Sequence, residues 1–299
     1  MRWDNITMSN QSQMTVGIVG LGLIGGSMAR AFAAAGYRVL AVDKSDLTMT
    51  AARQEGVVAD TLTPENAAEC ALLLLAVYPA AAIEAFRMLA PHLSPAVLVM
   101  DLCGTKRQVT EACFAIAAEH GIDYVGGHPM AGTQFSGFQN SKADLFVGAP
   151  MVLVLPEKRH SILKEKAISL LSPAGFASFS DTTAEIHDRV IAFTSQLAHV
   201  VSNAYVKSPQ AQIHHGFSAG SYRDLTRVAW LNETMWCELF LENRDYLSEE
   251  IGIIINALAA YKKSLDENDP ATLTALLRDG RIAKERADQE SEISWKPLP

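Results

Sequence analysis

Apolar positions follow two different patterns along this chain. From Thr15 to about Phe179 they come in short runs, "TVGIVG", "YRVLAVD", "ALLLLAV", "AVLVMD", "DYVGG", "PMVLVL" and "FASFS", with helical stretches between them. Runs so short and so continuously apolar suit strands covered on both faces of a parallel sheet, and their alternation with helices predicts a doubly wound α/β fold. After about Ser180 the strand pattern stops. "TTAEIHDRVIAFTSQLAHVVSNAYV" and the segments Tyr222 to Arg244, Ser248 to Leu265 and Pro270 to Gln289 read as long helices. The expected organisation is a polar, flexible leader over 1–14, an α/β domain over 15–180 and an all-helical domain over 181–299.

Composition narrows the partners. The 299 residues carry 33 acidic against 25 basic side chains, without a basic block, which removes the electrostatic footprint of nucleic-acid binding and points to a small-molecule partner. Cys70, Cys103, Cys113 and Cys237 are scattered without a CxxC, as expected of reduced thiols in a cytoplasmic protein. The longest apolar run, "ALLLLAVYPAAAI", is broken by Pro79, and no membrane span is expected. The helical segments are rich in Ala, Leu and Ile, a surplus of apolar faces that predicts a homodimer through this region.

"VGIVGLGLIGGSMARAFAAAGYRVLAVD" places Gly20-x-Gly22-x-x-Gly25 directly after a strand and at the start of a helix. Gly20 permits the tight turn, Gly22 lets the main chain approach a pyrophosphate and Gly25 allows close packing of helix on strand; this is the fingerprint of a Rossmann-type dinucleotide site. The helix start around Leu23 and Ile24 offers unpaired N–H groups to phosphates. Asp43, at the end of the second strand, would accept from ribose hydroxyls and repel a 2′-phosphate, favouring NAD over NADP. Val77 and Asp101, at further strand ends, are expected to border the nicotinamide half.

"YVGGHPMAGTQFSGF" brings His128 to another strand end on the same rim, where a neutral imidazole can act as a general base. In the first long helix Asp188, Ser195 and His199 lie at offsets of seven and eleven residues. At about 100° per residue those offsets return to within roughly 20° of the starting direction, which predicts one polar stripe facing a ligand or a neighbouring helix. Arg227, among apolar neighbours in "SYRDLTRVAWL", calls for a carboxylate, supplied either by a substrate or by an acidic side chain such as Asp224.

These pieces, "VGIVGLGLIGGSMA", "DLCGTKR", "GGHPMAGTQFSGF" with "ADLFVGAP", "HDRVIAFTSQLAH" and "YRDLTRVAWLNETMWCELFLEN", resemble the prephenate/arogenate dehydrogenase family of tyrosine biosynthesis over Val16 to about Asn243. The resemblance implies a Rossmann domain followed by a helical dimerisation domain, and oxidative decarboxylation of a cyclohexadienol. It makes His128 the base acting on the ring hydroxyl and Arg227 the clamp for a substrate carboxylate. It matches His199 to a further substrate contact, the family's His-Asp pair to His187 and Asp188, and Trp236 to the mouth of the site. Ser195, Gln196 and Thr133 complete the expected substrate contacts.

The sequence also departs from the family pattern. Gly104 stands where many members carry a serine bonded to the catalytic histidine, and Thr105 is the nearest hydroxyl to replace it. Gln196 replaces a histidine and Gln134 a glutamate, and with the sequence ending at Pro299 no added regulatory domain is expected. Two alternatives stay open at this point: another two-domain NAD(P) oxidoreductase, and a catalytically silent NAD-binding protein.

Overall fold

The computed structural model describes residues 14–133, 135–214 and 216–294, so that the expected leader, apart from Met14, and Gln134 lie outside the described residues. The sheet is built from β1 (Thr15–Val19), β2 (Arg38–Val42), β3 (Asp60–Thr61), β4 (Cys70–Leu75), β5 (Leu98–Asp101), β6 (Asp123–Pro129), β7 (Pro150–Val154) and β8 (Ser178–Thr182). Their order is β3-β2-β1-β4-β5-β6-β7-β8. The helices of this part are α1 (Leu23–Ala34), α2 (Asp46–Gln54), α3 (Pro79–Leu89), α4 (Arg107–His120) and α5 (His160–Leu170).

Two features of the sheet differ from the sequence expectation. β3 is an added strand, two residues long and polar, too short to register as an apolar run, and pairs with β2 through Leu40 and Asp60. β7 runs antiparallel to β6, while the remaining pairs are parallel. Among its described residues the connection between them holds the short 3₁₀ turn Phe138–Asn140 and no crossover helix, so the chain returns in the opposite direction.

Successive residues of β4 feed opposite faces, as the two-residue period of a strand requires. Leu72 and Leu74 join one core cluster with Ile18, Met28 and Phe32; Leu73 and Leu75 join the other with Leu40, Phe86 and Tyr124. The strand order reverses between β1 and β4, and ligands of such sheets bind outside the strand ends at that switch point.

The helical part comprises α6 (Ala184–Ile191), α7 (Ala198–Tyr205), α8 (Gly220–Thr226), α9 (Glu233–Glu242), α10 (Arg244–Asp266) and α11 (Pro270–Ser294). Thr183 caps α6 by accepting from the Ile186 N–H at 3.2 Å. Between α6 and α7 the helix widens into a π-helical segment, Ala192–Leu197. The single helix expected over Tyr222 to Arg244 is two helices, because Asn232 caps a new start by accepting from the Met235 N–H at 3.0 Å.

By packing, the chain forms two compact units, Met1–Arg244 and Asp245–Pro299. The division lies beyond residue 180, where the strand pattern ends, since α6 and α9 share hydrogen bonds with the sheet domain, chiefly at Asp188, Thr105 and Glu242. Within the second unit the Tyr261 hydroxyl donates to the Leu276 carbonyl, tying α10 to α11. Ile253, Ile255, Leu258, Leu265 and Leu277 of these two helices are each more than half exposed. Among the described residues no helix is long and apolar enough to cross a membrane.

Candidate active site

At the turn between β1 and α1 the three glycines of the motif meet three different constraints. Gly20 has φ +89°, and a Cβ there would lie 2.5 Å from the Val77 side chain and 2.7 Å from the Ala76 carbonyl oxygen. Gly25 is tighter still: its Cβ would sit 1.9 Å from the Gly20 carbonyl oxygen. At Gly22, the residue preceding α1, a Cβ would meet no protein atom within 4 Å, so the main chain borders open space. The first turn of α1, which includes Leu23, Ile24 and Gly25, has no side-chain cap and no acidic residue. An open glycine beside uncapped N–H groups fits a phosphate group.

Asp43 closes the turn from the β2 side. One carboxylate oxygen accepts from the Leu21 N–H at 2.7 Å and the other from the Ser45 N–H at 2.9 Å. Each oxygen keeps acceptor capacity for a ribose hydroxyl. Asp101 differs from its sequence assignment to the cofactor rim. It is fully buried, pairs with Lys106, and accepts from the Cys103 N–H at 2.9 Å and the Tyr124 hydroxyl at 2.5 Å. The fixed lysine five residues further on draws this carboxylate inward, and burial beside it pushes the Tyr124 hydroxyl well above its ordinary range.

β6 ends in Gly126, Gly127 and His128. A Cβ on Gly126 would lie 2.7 Å from Thr110, and one on Gly127 would lie 2.7 Å from Met151 and 2.8 Å from the Asp101 carbonyl oxygen. The two glycines therefore let the strand pass between α4 and β7 and deliver His128 at a defined position. The His128 Nδ1 lies 2.9 Å from the Nε2 of His187, and the His187 Nδ1 lies 2.8 Å from the Asp188 carboxylate. Burial, the neighbouring His187 and the Lys106 ammonium hold the His128 imidazole well below its usual pKa of 6.5. His187 is lowered too, chiefly by burial, against the raising influence of its Asp188 hydrogen bond.

Asp188 is buried, and its position differs from the substrate-facing one the sequence suggested. It accepts from the main-chain N–H groups of Lys106 at 2.7 Å and Arg107 at 2.9 Å, at the start of α4, as well as from His187. Burial would raise its carboxyl, but the His187 bond and these N–H groups outweigh it and hold the group below the ordinary carboxylate value.

Gln196 and Thr105 are likewise turned into the protein. Gln196 is 2% exposed, donates to the Leu239 carbonyl at 3.1 Å and accepts from Asn243 at 2.8 Å. The buried Thr105 hydroxyl donates to Glu242. Thr105 thus does not take over the orientation of His128; the partner of His128 is His187. Burial raises the Glu242 carboxyl above its usual value, the Thr105 bond opposing and the nearby Glu238 charge adding to it.

The expected stripe of Asp188, Ser195 and His199 is broken by the π-helical segment between them, which changes the angle per residue that the α-helical offset assumed. Ser195 contributes its carbonyl, to which the His199 Nδ1 donates at 2.8 Å. The His199 ring packs at a tilt against Trp236, with ring centroids 4.0 Å apart, and burial, with a smaller contribution from the Arg227 charge, lowers its pKa against the opposing Ser195 bond. Arg227 is exposed, just after α8. Asp224 faces Arg223 at 4.0 Å, and among the described residues no carboxylate pairs with Arg227. Thr133, in the loop after β6, is exposed and bonds within its own turn, to Phe135.

The structure thus forms two clusters joined by one helix: His128, His187, Asp188 and the α4 start on one side, and His199, Trp236 and Arg227 on the other. Lys106, Glu242 and Asn243 are the contributors missing from the sequence-derived site, and His187, matched there only as half of a His-Asp pair, proves to be the partner of His128. These three reveal themselves mainly through contacts distant in sequence, from Thr105 to Glu242, from Lys106 to Asp188 and from Asn243 to Asp188.

Comparison with known proteins identifies the family of the chain. The family model described as prephenate dehydrogenase, nucleotide-binding domain, matches residues 28–177, beginning just after the glycine turn, and that described as prephenate dehydrogenase, dimerization domain, matches residues 183–279. The chain is 29% identical over 278 residues to the prephenate dehydrogenase of Bacillus subtilis (strain 168), covering 88% of this chain and 73% of that protein. It is 29% identical over 282 residues to the cyclohexadienyl dehydrogenase of Zymomonas mobilis subsp. mobilis, covering 90% and 94%. Its fold resembles that of the Aquifex aeolicus prephenate dehydrogenase in complex with hydroxyphenyl propionate and NAD+, with a TM-score of 0.78, 24% identity and coverage of 92% and 99%.

Proposed function

Because this chain belongs to the prephenate dehydrogenase family, we propose that it converts prephenate to 4-hydroxyphenylpyruvate and CO2, with NAD as the oxidant. The observation that carries the reading is His128, an imidazole held neutral at a strand end of the nucleotide-binding domain, with one ring nitrogen engaged by His187 and the other left for a substrate hydroxyl. NAD bound at the glycine turn supplies the hydride acceptor. Gly20, Gly22 and Gly25 shape that turn, the α1 start receives the pyrophosphate, and Asp43 takes the ribose hydroxyls and disfavours a 2′-phosphate. His128 accepts the proton of the ring hydroxyl, and Arg227, with no internal carboxylate partner among the described residues, binds a carboxylate of the substrate. NADH formation on mixing protein, prephenate and NAD tests the proposal; no signal with either prephenate or arogenate would overturn it.

A second substrate, arogenate, is favoured by one detail. His199 donates through Nδ1 to a carbonyl, which leaves Nε2 of the neutral ring as an acceptor suited to an ammonium group. Relative kcat/KM on the two substrates decides between them. The same reading makes the protein a cytoplasmic homodimer that covers the exposed apolar residues of α10 and α11. A monomeric mass by light scattering would contradict the dimer.

A further inference from the structure

We propose that His187 is the positioning residue of the reaction: with Asp188 it forms a relay that fixes the proton of neutral His128 on Nδ1 and leaves Nε2 as the base. The proposal rests on the reading of His128 as the group that meets the substrate hydroxyl. Hydrogen-bond geometry carries it, one contact at a time.

Asp188 accepts two main-chain N–H groups at the α4 start, besides its contact with His187. Those donors keep it an acceptor-only carboxylate, and they sit at the positive end of the helix dipole. The 2.8 Å contact therefore requires a proton on the His187 Nδ1. A neutral His187 then has only a lone pair on Nε2, so the 2.9 Å contact requires the proton of neutral His128 on Nδ1. The remaining lone pair of His128, on Nε2, lies on the opposite edge of the ring. The tautomer is thus assigned from the network, from the α4 main chain outward to the reacting atom.

The charged groups around the pair fit this order. Lys106 disfavours protonation of both rings, Asp101 and Asp188 favour it at His187, and Arg107 reaches the far side of Asp188. In turnover the O–H bond of the substrate breaks and its proton is held on the His128 Nε2. The resulting imidazolium donates through Nδ1 into His187, whose own proton faces the Asp188 carboxylate. Once the ring is aromatic the proton returns to the same oxygen, and the relay ends in its starting tautomer. Nothing in this cycle requires a hydroxyl at position 104, where a Cβ would face Leu239 at 3.5 Å.

The test combines 15N NMR of the imidazole nitrogens in the full-length wild-type protein with the kinetics of His187→Phe and His187→Gln, and His128→Asn as reference. The expected spectrum shows neutral His128 and His187 each protonated at Nδ1. His187→Phe should lose about tenfold to a hundredfold in kcat, with KM changed by less than about threefold, as for a general base left without its orienting partner. His187→Gln offers a carbonyl oxygen to the His128 Nδ1 and should recover about tenfold over His187→Phe. An Nε2-protonated His128, a His187→Phe kcat within about threefold of wild type, or a glutamine variant no better than phenylalanine would each overturn the relay. If His187→Phe does not fold, the wild-type spectrum alone still decides. If the spectrum agrees but His128→Asn turns over as wild type does, the relay stands and the reading of His128 as the base falls.

Discussion

At the β1–α1 turn the functional surface is main chain, and what shapes it is the lack of side chains: two of the three glycines there would place a Cβ within 2.7 Å of neighbouring atoms. In α6 to α9 the functional surface is side chain, and what shapes it is hydrogen bonding between residues far apart in sequence, as from His128 to His187 and from Asp188 to the start of α4. The first kind of site is local, so one segment of about thirty residues specifies it. The second depends on the docking of helices onto the sheet domain, so it is only as well placed as the contacts that hold α6. Damage to the first should therefore appear as misfolding or lost cofactor affinity, and damage to the second as lost turnover or weaker substrate binding.

The largest effect that probes this contrast is expected at Gly25. In Gly25→Ala the new methyl would overlap the Gly20 carbonyl, a main-chain atom that cannot swing aside. Overpacking of this kind costs on the order of 3 kcal/mol, which for a chain of this size lowers Tm by roughly 6–12 °C. NAD affinity should fall with it, measured by calorimetry below the new Tm. Gly22→Ala is the control, since its methyl meets open space in the protein alone: stability should hold while NAD affinity drops. Equal loss of stability in both variants would remove the distinction between packing and ligand approach at this turn.

A smaller effect, confined to substrate handling, is expected at Arg227. Arg227→Ala should raise KM for prephenate and lower kcat/KM by about tenfold to a hundredfold, the equivalent of one lost charge-assisted hydrogen-bond pair of about 1.5–3 kcal/mol. Its exposed position predicts an unchanged Tm. A stability loss without a change in KM would return Arg227 to a structural role.

Legibility in the sequence follows the same contrast. The glycine turn, Asp43 and the strand end at His128 were readable because each depends on its own few neighbours. Asp101 was misread because a strand-end carboxylate can point to a ligand or inward, and only the buried Lys106 beside Tyr124 decides that. The stripe through Asp188 and His199 failed for a different reason: apolar periodicity does not reveal a π-helical segment, so angles counted at a constant step drift after Ala192. The break between α8 and α9 was signalled by Asn232, a capping residue inside an otherwise apolar stretch. The partnership of His128 with His187 was beyond reach, since it joins a strand end to a helix 59 residues further along the chain.

The mildest test is pH. His128, His187 and His199 all have folded-state pKa values below the ordinary 6.5, each chiefly through burial. Above the unfolded pKa all three are neutral in both states and their favourable packing is fully present. As pH falls below about 6.5 the unfolded chain takes up protons that the folded site resists, so stability declines with acidification until the folded pKa values are passed. Thermal unfolding followed from pH 8 to pH 5 should show Tm falling over the lower part of that range. Carboxylates such as Asp188, lowered in the folded state, add to the decline only at lower pH, near and below their own unfolded value. The kcat/KM profile should keep its plateau to lower pH than the stability curve does, because the base in the folded enzyme stays unprotonated below 6.5. An activity limb centred at or above the ordinary histidine pKa would mean that the group titrating in catalysis is not the half-buried imidazole at the end of β6.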